Sequence, residues 1–223
     1  MLSIVIPTLN EATVIGARLD QIAAADVAGE VIVADGGSAD DTVALAEKRG
    51  VRIIIGPAGR GLQLAAGAKV ATGSWILFLH ADTKPGPGWA TVIKRFMEKP
   101  ENRFRAGYFR FVLDDSARAA KCLERLVDWR CRIFNLPYGD QGLLINSEFY
   151  ERLGGFPAIP LMEDVALIRA IPGHRLEELS CIAQTSAKRY QREGYVIRSA
   201  KNIFLLFLYF LGLSPGFLAK LYD

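Results

Sequence analysis

Trp75-Ile76-Leu77-Phe78-Leu79-His80-Ala81-Asp82-Thr83 is the stretch on which the fold turns. Residues 75–79 are continuously apolar and aromatic-rich, and they follow the turn-forming Thr72-Gly73-Ser74, which predicts a buried strand. The run stops abruptly at His80-Ala81-Asp82. Two apart on an extended chain, His80 and Asp82 point to the same side. A carboxylate at the C-terminal tip of a central strand sits where open α/β sheets bind ligands. Imidazole and carboxylate both ligate divalent cations, and oxygen-rich sites suit Mg²⁺ or Mn²⁺. The competing role for Asp82 is local: it caps the next segment or starts the Lys84-Pro85-Gly86 turn.

Upstream of this strand, apolar β-type runs alternate with helical patterns. Strands are expected at residues 3–8, 30–35 and 51–55, with helices from Asn10 through Ile22, from Ser38 through Ala46, and over 61–72. Asn10 and Ser38 read as helix N-caps. The helix over 61–72 is rich in Ala and Gly, which suits close packing. Alternation with short loops predicts a mostly parallel sheet flanked by helices. Each strand ends in polar or Gly-rich residues: Pro7-Thr8 with Asn10-Glu11, Asp35-Gly36-Gly37-Ser38, Gly56-Pro57, and His80 with Asp82. These ends line one crevice in such a sheet. No Gly-x-Gly-x-x-Gly follows the first strand, and no Gly-Lys-Ser/Thr phosphate loop occurs.

Downstream, a helix is expected over 89–98, a strand over 106–113, a long helix to about Phe134, a short strand over 143–145 and a short helix over 148–153. Gly139-Asp140-Gln141-Gly142 forms a polar loop, either a plain turn or part of a binding site. Glu163-Asp164 opens a further helix, where acids also suit the helix dipole.

The 223 residues suffice for one generous domain with a real core. A hydrophobic content of 51% with 23% charged residues describes a globular chain, and a net charge of +3 does not point to nucleic acid. Cys122, Cys131 and Cys181 lack metal-ligand spacing and read as free thiols of a reducing, cytoplasmic compartment. The first apolar run has no basic stretch before it and is broken by Pro7, unlike a signal peptide. The last third is basic, with Lys188, Arg189, Arg192 and Arg198, then apolar over 203–211. That run is too short to span a bilayer. It is a core or homodimer helix, or it lies on a membrane surface, which would make the protein peripheral on the inner face of the plasma membrane. The expected division is a domain over 1–190 and a basic-then-apolar helical appendage over 191–223.

The ordered set Ser3-Ile4-Val5-Ile6-Pro7-Thr8-Leu9-Asn10-Glu11, Val33-Ala34-Asp35-Gly36-Gly37-Ser38, Leu79-His80-Ala81-Asp82-Thr83 and Met162-Glu163-Asp164 resembles the family 2 glycosyltransferases of GT-A fold. The likeness covers roughly residues 1–190. Leu-His-Ala-Asp, Gly-Asp-Gln-Gly and the short tail further resemble a small bacterial subgroup of radical-SAM or selenodomain-associated transferases. The resemblance implies a GT-A, Rossmann-like sheet with a C-terminal helical tail. It implies an inverting, metal-dependent transfer from a UDP- or GDP-sugar to an acceptor hydroxyl, with a lipid-linked acceptor suggested by the apolar tail. Pro7, Thr8, Glu11, Asp35, Gly36 and His80 would border the donor, with Arg60 near the nucleotide. Asp82 would hold Mg²⁺ or Mn²⁺. Asp164, beside Glu163, would be the general base. Asp140 and Gln141 would stand on the acceptor or donor side, and Lys188, Arg189 and Arg192 near the diphosphate. His80 departs from the family's usual first Asp. The alternatives are an inactive nucleotide-sugar-binding partner and a sugar-phosphate nucleotidyltransferase, whose triphosphate loop is missing after Thr8.

Overall fold

The computed structural model describes residues 1–27 and 29–222. In chain order the elements are β1 (Leu2–Thr8), α1 (Ala12–Ala24), β2 (Glu30–Asp35), α2 (Thr42–Glu47), β3 (Arg52–Ile55), α3 (Arg60–Val70), β4 (Trp75–Phe78), β5 (Lys84–Pro85), α4 (Trp89–Met97), β6 (Ala106–Leu113) and α5 (Arg118–Phe134). They continue with β7 (Leu143–Asn146), α6 (Ser147–Arg152), α7 (Glu163–Ala170), β8 (Leu176–Thr185), α8 (Lys188–Glu193), α9 (Tyr195–Phe210) and α10 (Pro215–Tyr222). The strands form one sheet in the order β3-β2-β1-β4-β7-β6-β8-β5.

Strands β1 to β4 pair with one another in parallel. The chain runs outward from β1 through β2 to β3, then crosses back to place β4 on the other side of β1. That reversal is a topological switch point, and it opens a crevice beyond the carboxyl ends of β1 and β4. Beyond β4 the sheet is mixed: β7 is antiparallel to β4 and β6, β6 and β8 are parallel, and β5 is antiparallel to β8.

The period-2 alternation of strand side chains divides the core between the sheet's two faces. Ile4, Ile6, Leu77 and Leu79 pack on one face with Ile15, Leu19 and Trp89. Val5, Ile32, Ile76 and Phe78 pack on the other with Leu64, Phe149 and Val165. Strands covered on both faces read as continuous apolar runs, the property that made 75–79 legible. The small residues of α3 allow the expected close approach: a Cβ on Gly67 would lie 2.3 Å from Val5 Cγ1.

Two expected caps are corrected. Asn10 does not cap α1; it takes a left-handed φ of 56°, and its Oδ1 accepts the Ala39 N–H at 2.8 Å. Ser38 does not cap α2; its Oγ accepts the Asn10 N–H and donates to Asp35 Oδ2. Both residues tie the β1–α1 turn to the β2–α2 loop. The Thr42 N–H at the start of α2 is met by Asp40 Oδ1 at 3.0 Å. Strand β8 was not expected from the sequence. Its Glu177, Glu178, Ser180 and Gln184 break any apolar run, and its inward residues include the small Cys181 and Ala183.

Candidate active site

A cleft of about 330 Å³ opens at the switch point. Glu11 reaches it from the turn before α1, Arg60 from the start of α3, and His80 and Asp82 from the tip of β4. Gly139 and Asp140 come from a 3-10 turn, Glu163 and Asp164 from the start of α7, and Lys188 and Arg189 from α8. Arg198, Asn202 and Leu205 of α9, with Tyr222 of α10, complete the far wall.

Met162, at a left-handed φ of 68°, turns the chain into α7. The turn buries Glu163, which is 2% exposed, and leaves Asp164 facing the cleft. Asp164 is held by two backbone donors: the Gly139 N–H reaches Oδ2 at 2.9 Å and the Val165 N–H reaches Oδ1 at 2.7 Å. A Cβ on Gly139 would sit 2.9 Å from His80 Nε2 and 3.5 Å from Asp164 Oδ2, so glycine permits these three residues to converge. Gly61 does the same for α7: its Cβ would lie 2.9 Å from Glu163 Cβ.

The cleft concentrates acids. Burial, reinforced by the Asp164 charge, raises the Glu163 carboxyl to about 7. Arg60 lies 3.9 Å from it, too far for a hydrogen bond, with its own side chain 45% exposed. Burial raises Asp140 to about 6; Arg130 opposes the shift, and the Asp164 and Asp82 charges add to it. Asp140 Oδ1 is buried without a hydrogen-bond partner. Glu11 is raised by burial and by Asp82. Burial, with Arg60 and Arg189 nearby, holds His80 well below its ordinary value, so the imidazole is neutral at neutral pH.

This donor set fits a hard divalent cation. Glu163, Asp140 and Glu11, raised by burial and by neighbouring carboxylates, and an unpartnered buried oxygen all gain from a positive charge. No three His, Cys, Asp or Glu side chains among the described residues form a complete cage. An ion at Asp82 would therefore draw further ligands from substrate and water, as Mg²⁺ commonly does.

Other expected site residues lie elsewhere. Thr8, Asp35 and Gly36 are buried outside the cleft lining, and Pro7 is also outside it. Asp35 accepts from Thr8 Oγ1, Ser38 Oγ, the Gly37 N–H and the Ser38 N–H, at 2.8, 2.6, 2.9 and 2.7 Å. Gln141 is a buried clip whose Nε2 donates to the Phe109 carbonyl and whose Oε1 accepts the Tyr138 N–H. Arg192 is exposed and pairs with Glu193. Sequence reasoning missed Tyr138, Tyr190, Asn202, Leu205 and Tyr222 as lining residues. Arg198, Asn202 and Leu205 recur at helical spacing, and that periodicity was the available signal.

A doubly wound α/β sheet with an acidic cleft at its switch point defines a ligand-binding protein of the Rossmann-like class. The family model of glycosyl transferase family 2 matches residues 3–136, more than half of the chain. The chain belongs to that family. A PGL/p-HBAD biosynthesis glycosyltransferase of Mycobacterium tuberculosis is 43% identical over 90 residues, covering 37% of this chain and 35% of that protein. An uncharacterized glycosyltransferase of Rickettsia conorii is 35% identical over 82 residues, covering 36% and 28%. The matched region thus spans about a third of these relatives' length. Among solved structures, the fold resembles glucosyl-3-phosphoglycerate synthase from M. tuberculosis in complex with Mn²⁺, UDP and glucosyl-3-phosphoglycerate. The TM-score is 0.59 at 20% identity, covering 83% of this chain and 70% of that one. The architecture is accordingly the GT-A fold.

Proposed function

We propose that this chain transfers a glycosyl group from a nucleotide-sugar donor to an acceptor hydroxyl with inversion at the anomeric carbon. The observation that carries the reading is the convergence of Asp82, from the β4 tip, and Asp164, from the start of α7, on one cleft at the switch point. Family membership supports the reaction class. The structural neighbours described with Mn²⁺ and UDP-glucose support a UDP-sugar donor and a Mn²⁺ or Mg²⁺ ion.

Asp164 accepts the acceptor's hydroxyl proton as its oxygen attacks the anomeric carbon. The bond from that carbon to the β-phosphate oxygen breaks, and its electron pair leaves with the nucleoside diphosphate. Arg60 and Arg189 face the departing charge. Asp82 would hold the divalent ion, which when bound neutralises the diphosphate. No covalent nucleophile is required. The backbone donors on Asp164 fix its orientation, so little reorganisation precedes proton transfer. In this reading residues 1–190 form the transferase domain, the helices after 190 wall its acceptor end, and the acceptor is lipid-linked or membrane-near.

Calorimetry with UDP and GDP, with and without Mn²⁺, followed by a donor-turnover assay, tests the proposal. Metal-dependent binding with turnover supports it. Binding without turnover across donors and acceptors would favour the inactive partner.

A further inference from the structure

Helix α9 carries apolar side chains on its outer face as well as against the core. Its polar side chains turn toward the protein. Arg198 is buried, donating to Glu193 Oε2 at 3.1 Å and to the Tyr222 hydroxyl. Lys201 Nζ donates to the Tyr222 carbonyl, and Asn202 lines the cleft. Leu205 is buried and Leu206 and Tyr209 pack against the core, but Val196, Ile197, Ile203, Phe204, Phe207 and Phe210 are exposed, Val196 at 82% and Phe207 at 56%. Ile203, Phe207 and Phe210 recur at spacings of four and three, with Phe204 beside them, and Val196 and Ile197 lie seven residues before Ile203 and Phe204, so all six share one face as a stripe. A surface helix ordinarily keeps its outer face polar. Core packing accounts for Leu205, Leu206 and Tyr209 of the run over 203–211 but not for Ile203, Phe204, Phe207, Phe210 and Leu211, which are exposed.

We propose that this stripe docks on an anionic lipid bilayer, with α9 lying in the membrane plane. Length supports a plane-lying helix. Its 16 residues extend about 24 Å, short of a ~30 Å hydrocarbon core. No helix among the described residues is long and apolar enough to cross a membrane. Charge selects the partner. Arg198 and Lys201 are engaged by Glu193 and Tyr222, but Lys188, Arg189 and Arg192 of α8 and Lys220 of α10 are exposed and give this margin a basic excess. A two-fold contact with a second copy would set this basic excess against itself. Anionic headgroups supply the missing counter-charge. On α5, which packs against α9, Trp129 is exposed, a residue type favoured at membrane interfaces.

Because Asn202 and Leu205 of the same helix line the cleft, docking its outer face brings the cleft within about one helix diameter, ~10 Å, of the headgroups. The acceptor class that follows is an amphiphile carried in the bilayer. Only this last step rests on the transferase reading; the docking itself does not.

The test is co-sedimentation of the full chain with phosphatidylcholine vesicles, with and without phosphatidylglycerol. Wild type should sediment with the anionic vesicles, and salt should weaken the binding. The pair Phe204→Glu with Phe207→Glu should weaken it about tenfold or more. Thermal melting and nucleoside diphosphate binding of that variant should match wild type. If its melting falls, Ile197→Glu with Ile203→Glu, placed farther out on the same stripe, repeats the measurement. Asp82→Ala should sediment like wild type, which separates docking from catalysis. Wild type remaining in the supernatant, or a glutamate variant that folds and still sediments fully, overturns the proposal. So does a concentration-dependent dimer that the glutamates abolish without any vesicle binding, because it assigns the stripe to a second copy.

Discussion

The Gly139 N–H donates to Asp164 Oδ2 at 2.9 Å, so the 3-10 turn beside the β4 tip and the start of α7 are fastened at the carboxylate proposed as base. Asp164→Asn keeps an oxygen for one backbone donor and removes the proton acceptor. The expected result is a fall in kcat of about 10²-fold or more with KM for the donor little changed. Steady-state kinetics with saturating acceptor measures it. Turnover equal to wild type would remove Asp164 from the mechanism.

Asp82→Ala should act at a different step. Asp82 would hold the ion that faces the diphosphate, so its loss should weaken UDP binding in Mn²⁺ while leaving the weaker metal-free binding unchanged. Titration calorimetry with and without Mn²⁺ reads the difference. Equal Mn²⁺ enhancement in the variant and wild type excludes Asp82 as the ligand.

Glu163 makes stability pH-dependent in the direction opposite to most carboxylates. Its folded value of about 7 lies above the ordinary 4.5 because burial, and then the Asp164 charge, disfavour ionisation. The folded state binds the proton more tightly than the unfolded state. This contribution is therefore fully present below about 4.5 and is lost as pH rises through about 7. Glu163→Gln removes the titration. It loses little from the Arg60 pair, whose nitrogen stands 3.9 Å away on a half-exposed side chain. The Tm of the variant minus that of wild type should grow from pH 5 to pH 8. A constant difference across that range contradicts the assignment.

The parallel half of the sheet was legible because β1, β2 and β4 are covered on both faces, and burial on both faces leaves no polar alternation to misread. The strand-end acids were legible for a related reason: an abrupt polar stop after an apolar run marks a tip. Asn10 and Ser38 misled because the short polar side chains that cap helices also stabilise left-handed turns and loop cross-links. Strand β8 was hidden by glutamates facing a partly open surface and by small inward residues. The tyrosine wall was invisible for another reason. Tyr138, Tyr190 and Tyr222 come from three separate elements, and no local spacing announces their meeting. In α9 the spacing of Arg198, Asn202 and Leu205 marked a shared face, but apolar residues both against the core and on the outer side left no polar face to say which way it pointed.

Asp35 is expected to be a positioning residue for the loop after β2. Burial would raise its carboxyl, but donors from Ser38, Thr8 and Gly37 outweigh burial and hold it below its ordinary value. Asp35→Ala leaves two hydroxyls and two backbone N–H groups without that partner in a site that is 1% exposed. Unpaired buried donors cost about 1–3 kcal/mol each; Thr8 is buried, while Gly37 is exposed and Ser38 half-buried so that water meets part of their need, and a net loss of roughly 3 kcal/mol is expected. At about 2–4 °C per kcal/mol for a chain of this size, Tm should fall by roughly 6–12 °C. Asp35→Asn should lose less than half of that, because its oxygen still accepts the two N–H groups while the hydroxyls turn to accept from its amide. Both variants should hold their loss at neutral pH, above the range where the wild-type carboxylate titrates, and the gap to wild type should narrow as pH falls through that range. Thermal melts of the three proteins at pH 7 and at about pH 2, below the ordinary carboxylate value, decide the matter, and an Asp35→Ala protein as stable as wild type at pH 7 would show that the four bonds do not hold the loop.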